Sequence, residues 1–237
     1  MADSKSRVSE LAQFDNGGDD IESVGPKYAE IIVIRHGKTE WNDHHRIQGQ
    51  LDVDLNDVGR QQAFAVAERL SREEPKISAV YSSDLIRASD TAEVIARSCG
   101  VLEVIKDRDL RERHLGDLQG VLFHEAAQIN PQAHKAFVAS LSDLEIPGGG
   151  ESFFQLYDRC TLALQRIAKK HRGDRVVVVS HGATIEALLT RANPSEDFRG
   201  KILNACVNVF HLSEDHLEKY WSIQSWGDVS HLKTRAS

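Results

Sequence analysis

Residues 31–42 read Ile31-Ile32-Val33-Ile34-Arg35-His36-Gly37-Lys38-Thr39-Glu40-Trp41-Asn42. The first four are apolar and β-branched, the composition of a strand buried on both faces. The chemistry then changes abruptly to a guanidinium, an imidazole and a glycine. The same change recurs at Arg175-Val176-Val177-Val178-Val179-Ser180, which runs straight into His181-Gly182. Two buried strands therefore each deliver a histidine at their carboxyl end.

Outward from these strands the pattern alternates. Apolar residues at helical spacing predict a helix over Asp57–Arg72, and others over Asp84–Ser98, Ser152–Lys170 and Ala183–Arg191. Short strands are predicted at Ile77–Tyr81 and Val101–Ile105, and an antiparallel pair at Val207–Leu212 and Leu217–Ile223 with a turn at Glu214-Asp215. Residues 123–142 read as helix interrupted at Asn130-Pro131, and Gly148-Gly149-Gly150 is a flexible break. Strand and helix in alternation predict an α/β fold: a three-layer sandwich, a mostly parallel central sheet with helices on both faces. In such folds ligands bind beyond the carboxyl ends of the strands. That is where His36, His181 and, after the strand ending at Tyr81, Ser82-Ser83-Asp84 and Arg87 fall.

The chain of 237 residues is long enough for one large domain, with two small domains as the alternative. Its net charge of -7 argues against a nucleic-acid or anionic-membrane binder, since both need a basic surface. An anionic substrate would still require a small basic pocket. Cys99, Cys160 and Cys206 are far apart and odd in number, so neither a disulfide framework nor a zinc site is expected, and a reducing, cytoplasmic location is. No apolar run approaches the roughly 20 residues of a membrane span. Residues 1–27 carry Asp3, Glu10, Asp15, Asp19, Asp20 and Glu22; such a segment suits an acidic, disordered tail rather than a targeting peptide. Residues 28–237 are then expected to form a single catalytic domain. A homodimer is compatible with the sequence.

His36 is the first candidate for chemistry. Gly37 allows a sharp turn, and Thr39 and Asn42 supply short hydrogen-bonding groups, so the stretch suits an anion pocket. Neutral imidazole is a competent nucleophile toward phosphorus when one ring nitrogen is free and the other is held as a donor. The eleven histidines do not form a metal motif: His44 and His45 are adjacent and no HExxH occurs, so no metal or other cofactor is expected. An acid is needed for the leaving group, and composition leaves Glu103, Asp107, Asp109 and Glu112 open.

Arg35-His36-Gly37-Lys38-Thr39-Glu40-Trp41-Asn42 resembles the signature of the histidine phosphatase superfamily, the phosphoglycerate mutase-like family. The likeness continues through Arg46-Ile47-Gln48-Gly49, Asp57–Ala63, Tyr81–Ala88, Leu110–Arg113 with Gly116-Asp117, Gly149–Ser152 and Val179–Gly182. Residues 226–232 resemble the ending of plant phosphoglycerate mutase-like proteins. The resemblance implies the phosphoglycerate mutase-like fold, His36 as the phosphoryl acceptor, and a phosphate pocket of Arg35, Asn42, Arg87, His181 and Gly182. It selects Glu112 as the acid and base, beside catalytic His36 and His181. Fixed cationic donors suit a transferring phosphoryl group, whose charge spreads over its equatorial oxygens.

The family holds phosphatases and mutases. Glu112 and His181 are only 69 residues apart, room for a short helical lid, and the Gly-Gly-Glu-Ser block is similar to phosphatase members. Hydrolysis of a small phosphorylated metabolite is therefore the expected reaction, with mutase-type transfer as the alternative. A regulatory binding protein on this fold is the reading from another class; the full pocket set argues against it. A short, open lid would also suit a phosphoprotein substrate. Three positions depart from the family pattern: His45 where Gly is usual, Asp54 where Pro is common and Glu186 where a basic residue is frequent. They bear on substrate choice rather than on phosphoryl transfer.

Overall fold

The computed structural model describes residues 28–139, 141–198, 202–215 and 218–232. The acidic segment 1–27 lies outside them. The chain order is β1 (Ala29–Arg35), α1 (Glu40–Asp43), α2 (Asp57–Arg72), β2 (Ala79–Ser82), α3 (Ile86–Cys99) and β3 (Val104–Lys106). After two 3₁₀ turns come α4 (Ala126–Ile129), α5 (Pro131–Val138), α6 (Phe153–Lys170), β4 (Arg175–Ser180), α7 (Gly182–Ala192), β5 (Val207–Asp215) and β6 (Glu218–Asp228).

Among the described residues six strands form one sheet in the order β3-β2-β4-β1-β5-β6. β3, β2, β4 and β1 are mutually parallel; β5 is antiparallel to β1, and β6 to β5. The period-2 alternation of the strands sorts their side chains into two cores. Ile31, Val33, Val176, Val178 and Tyr81 face α6 and α7. Ile32, Ile34, Val177, Val179 and Val80 face α2 and α3. Both faces are thus covered, which is why the valine and isoleucine runs are continuous rather than alternating. A third cluster of Ile47, Leu115, Leu118, Ala126, Ala133, Ala136 and Ile146 forms a small cap from the 3₁₀ and α4–α5 region.

The sequence readings of α2, α6 and β4 agree with the structure to within a residue. The second strand is shifted to Ala79–Ser82 from the expected Ile77–Tyr81, and three other boundaries differ for local reasons. The third strand starts at Val104, because Gly100 takes a left-handed conformation (φ 74°) and Val101 N–H caps the end of α3 on Ala96 O. Helix α3 starts at Ile86, because Ser83 N–H still bonds Val179 O and the Asp84 carboxylate holds Arg111. The turn expected at Glu214-Asp215 is strand: these residues pair with Lys219 and Glu218. The expected break at Asn130-Pro131 is present, with the Asn130 side chain capping α5 through Ala133 N–H.

Candidate active site

The parallel pairing of β1 with β4 sets Arg35 opposite Ser180. One residue further, His36 N–H donates to Ser180 O at 2.9 Å, so the ladder carries His36 and His181 side by side past the strand ends. Their ring centroids are 5.2 Å apart at 56°, and both are buried.

The Arg35–Asn42 turn is braced from behind by the first turn of α2. A Cβ on Gly37 would collide with the Gly59 carbonyl, and one on Gly59 with the Lys38 backbone. The two backbones touch, which only glycine permits. Gln62 Oε1 accepts from Lys38 N–H at 2.9 Å, and Thr91 Oγ1 from Gly37 N–H at 3.1 Å. Thr39 and Asn42 form a capping box for α1, and Asn42 Oδ1 also accepts from Asn204 Nδ2 at 3.2 Å.

His36 Nδ1 lies 2.7 Å from Gly37 O. A carbonyl only accepts, so Nδ1 carries the proton and Nε2 carries the lone pair. Burial, and after it the charges of Arg87 and Arg35, push the His36 pKa well below its ordinary value. The ring is therefore neutral near pH 7. His181 is lowered in the same way, by burial first and then by Arg87.

The guanidiniums are fixed by the backbone rather than by carboxylates. Arg87, 1 % exposed, donates from Nη1 to Leu51 O at 2.8 Å and from Nη2 to Gly49 O at 2.7 Å. Arg35 Nη1 donates to Ile202 O at 2.6 Å. Burial lowers the Arg87 pKa to about 10, still far above neutrality. Four buried polar atoms at this spot have no protein partner among the described residues: Arg35 Nε, Arg87 Nε and both ring nitrogens of His181. Buried polar atoms are otherwise nearly always satisfied. An oxyanion beside His36 Nε2 can accept from Arg35 Nε, Arg87 Nε and the single N–H of neutral His181.

Gly182 opens α7, whose N-terminus adds oriented backbone dipoles that favour an anion. A Cβ there would sit 3.7 Å from Arg35 Nε and 3.8 Å from Glu112 Oε2, so these groups converge on one point. Glu112 Oε1 accepts from Arg113 N–H at 2.8 Å, and Oε2 faces Ala183 N–H at 3.4 Å. The pocket around them has a volume of about 980 Å³. Its walls include Trp41, Phe123, Phe137 and Leu203, with Lys38, Arg46 and Glu186 among the charged lining.

The catalytic and phosphate-binding set implied by the resemblance converges here: His36, His181, Arg35, Asn42, Arg87, Gly182 and Glu112; the other acid candidates Asp107 and Asp109 instead pair with Arg166. The structure adds the 202–205 segment, which the sequence reading passed over. Ile202 O receives Arg35, and Asn204 Nδ2 bonds both Asn42 Oδ1 and His36 O at 3.1 Å. No sequence signal marked it; it arrives because β5 is antiparallel and starts at the edge where the parallel strands end. Among the described residues, no group of three or more His, Cys, Asp or Glu side chains is placed to hold a metal ion, and no helix is long and apolar enough to cross a membrane.

The chain is 60 % identical over 212 residues to phosphoglycerate mutase-like protein 4 of Arabidopsis thaliana, with 90 % of each chain covered. It is 53 % identical over 211 residues to a metal-independent phosphoserine phosphatase of the same plant, covering 89 % of this chain and 86 % of that one. Among solved structures, a mutant phosphoserine phosphatase of Entamoeba histolytica in complex with phosphoserine superposes with a TM-score of 0.72 at 27 % identity, over 86 % of this chain and 99 % of the other. The family model described as histidine phosphatase superfamily (branch 1) matches residues 31–229, and the chain belongs to that family.

Proposed function

We propose that the protein is a metal-independent phosphatase that hydrolyses small phosphate monoesters through a phosphohistidine on His36. The observation that carries this is the ring of buried donors without protein partners, Arg35 Nε, Arg87 Nε and His181, around a histidine whose Nδ1 is already bonded to Gly37 O.

In the first step His36 Nε2 attacks phosphorus and the ester P–O bond breaks. Arg35, Arg87, His181 and the Asn42 amide hold the three equatorial oxygens; donors of this kind are each worth about 10²–10³ in rate. Glu112, protonated, gives its proton to the leaving alkoxide and becomes a carboxylate. In the second step that carboxylate takes a proton from water, the water oxygen attacks phosphorus, and the P–N bond breaks. His36 is restored as neutral imidazole and inorganic phosphate departs. Two fixed guanidiniums supply the positive field, so no metal enters either step.

The substrate class we propose is a small phosphorylated metabolite, in a cytoplasmic setting that suits three free cysteines. Phosphoserine is the first to test, being the named substrate of the 53 % identical relative. His36→Ala abolishes turnover, and rapid quenching of the wild type with labelled substrate traps an acid-labile, base-stable phosphoenzyme. Label on serine or aspartate would refute the mechanism. Rapid isomerisation of 3-phosphoglycerate with negligible free phosphate would establish the mutase reading instead.

A further inference from the structure

Gly149–Ser152 is a block that phosphoryl transfer itself does not use. Glu151 lies outside the pocket, yet it anchors a dense local network. Glu112 stands on neither helix nor strand. It follows a 3₁₀ turn at Arg108–Leu110, and Arg111 beside it is extended (φ -61°, ψ 158°). A carboxylate on such a loop aims correctly only if its backbone is fixed.

Arg159 of α6 does the fixing. Its Nη1 donates to Asp109 O at 2.9 Å and to Arg111 O at 2.8 Å, and its Nη2 donates to Glu112 O at 2.9 Å. Its fork is also engaged by Glu151, with Nε to Oε1 at 2.6 Å and Nη2 to Oε2 at 2.8 Å. Glu151 Oε2 further accepts from His114 N–H at 2.7 Å, Glu151 N–H donates to His114 O at 2.8 Å, and Arg113 Nε donates to Glu151 O at 2.9 Å. The backbone on both sides of Glu112 is thus tied to one ion pair. The pair is mostly buried, with side chains 17 % and 20 % exposed. Burial alone would push the Glu151 carboxyl up; the hydrogen bond and charge of Arg159 outweigh it and keep the carboxylate ionised.

The same point closes the base of the cap. Residues 115–150 leave the acid loop and return beside it. A Cβ on Gly150 would press on Gly116 N and His114 O, both 2.9 Å away. The glycines therefore let the returning chain lie against the outgoing one, and Glu151 comes next.

We propose that Glu151 and Arg159 are positioning residues that aim the Glu112 carboxyl at the leaving group. The proposal rests on Glu112 being the acid. A general acid matters for a poor alkoxide leaving group and little for p-nitrophenolate. Glu112→Gln alone therefore reports on that assignment: His36 phosphorylation should slow by about 10²–10⁴-fold with an alkyl phosphate, and much less with p-nitrophenyl phosphate. Equal slowing of the two would refute Glu112 as acid, and the present proposal with it.

Given that result, Glu151→Gln, folded by circular dichroism, should slow pre-steady-state phosphorylation by phosphoserine about 10–100-fold, the cost of a misplacement near 1 Å. It should leave p-nitrophenyl phosphate within roughly three-fold, because the phosphate donors are untouched. Vanadate affinity should not change. In the Glu112→Gln background, Glu151→Gln should add no further loss, since it acts through the missing acid. Arg159→Lys, which keeps the charge and loses the fork, should show the same selectivity to a smaller degree. An additive loss in the double variant, or equal loss with both substrates, would make the pair a purely structural staple and overturn the proposal. So would failure of both variants to fold.

Discussion

Replacement of His181 by leucine should make the protein more stable and far less active. The ring is fully buried, and neither nitrogen has a hydrogen-bond partner among the described residues. An unsatisfied buried polar group costs about 1–3 kcal/mol, so two nitrogens together cost about 2–6 kcal/mol in the phosphate-free protein. Leucine removes that cost at nearly equal volume, and imperfect repacking takes back about 1–3 kcal/mol. The midpoints of these ranges leave a net gain of about 2 kcal/mol, a Tm rise of roughly 4–8 °C for a chain of this size. Turnover should fall by at least about 10²–10³, the usual loss for one oxyanion donor. Acid adds a second signature. Burial holds the His181 pKa well below that of an unfolded histidine, so below about pH 6.5 the unfolded state binds the extra proton. Wild-type stability should therefore fall as pH drops below about 6.5, with His36 and His181 each contributing up to about 1.4 kcal/mol per pH unit. His181→Leu removes one of these contributions, and its advantage should widen from pH 7.5 to pH 5.5. Thermal melts in phosphate-free buffer at the two pH values, with phosphatase assays alongside, test both parts. A Tm several degrees below wild type at pH 7.5 would refute the reasoning, because the ring would then be satisfied in the free protein.

Gly59→Ala should destabilise the fold by about 3 kcal/mol, the upper range for overpacking, because its Cβ meets backbone and no rotamer can relieve the clash; chemical denaturation reads this directly. Arg87→Lys should lower kcat by about 10²–10³, since an ammonium cannot reach Leu51 O, Gly49 O and the phosphate together as the guanidinium does; steady-state kinetics with phosphoserine would show it. Dialysis against EDTA should leave activity unchanged, and restoration of lost activity by one added metal would contradict the proposed mechanism.

The sheet was legible because its strands are buried on both faces: the valines of 176–179 and the Ile31–Ile34 run admit little else. The two histidines were legible because each directly follows such a run. Glu112 was not legible from its own surroundings. Composition gave it no advantage over Asp107 or Asp109; what separates them is that Asp107 and Asp109 pair with Arg166 on the surface, whereas Glu112 reaches the amide of Ala183 at the start of α7. Asn204 was invisible for another reason. Its place depends on β5 running against the parallel strands, a long-range pairing that no local pattern encodes. Helix ends were uncertain by a residue or two where side chains such as Asp84 and Asn130 decide between capping and continuing.

The sheet order also has a consequence for how the chain is made. β1 pairs only with β4 and β5, which lie some 140 residues or more downstream. At a ribosomal rate of about 5–20 residues per second, β1 emerges roughly 7–30 s before its first partner strand is complete. Over that interval Ile31–Ile34 forms an apolar segment with both edges unpaired, the kind of template on which nascent chains associate wrongly. The yield of folded protein should therefore depend on elongation speed and on chaperones that shield β1 until β4 is made. The pocket itself cannot assemble until the 202–205 segment has left the ribosome, so the nascent chain should gain activity only after that point.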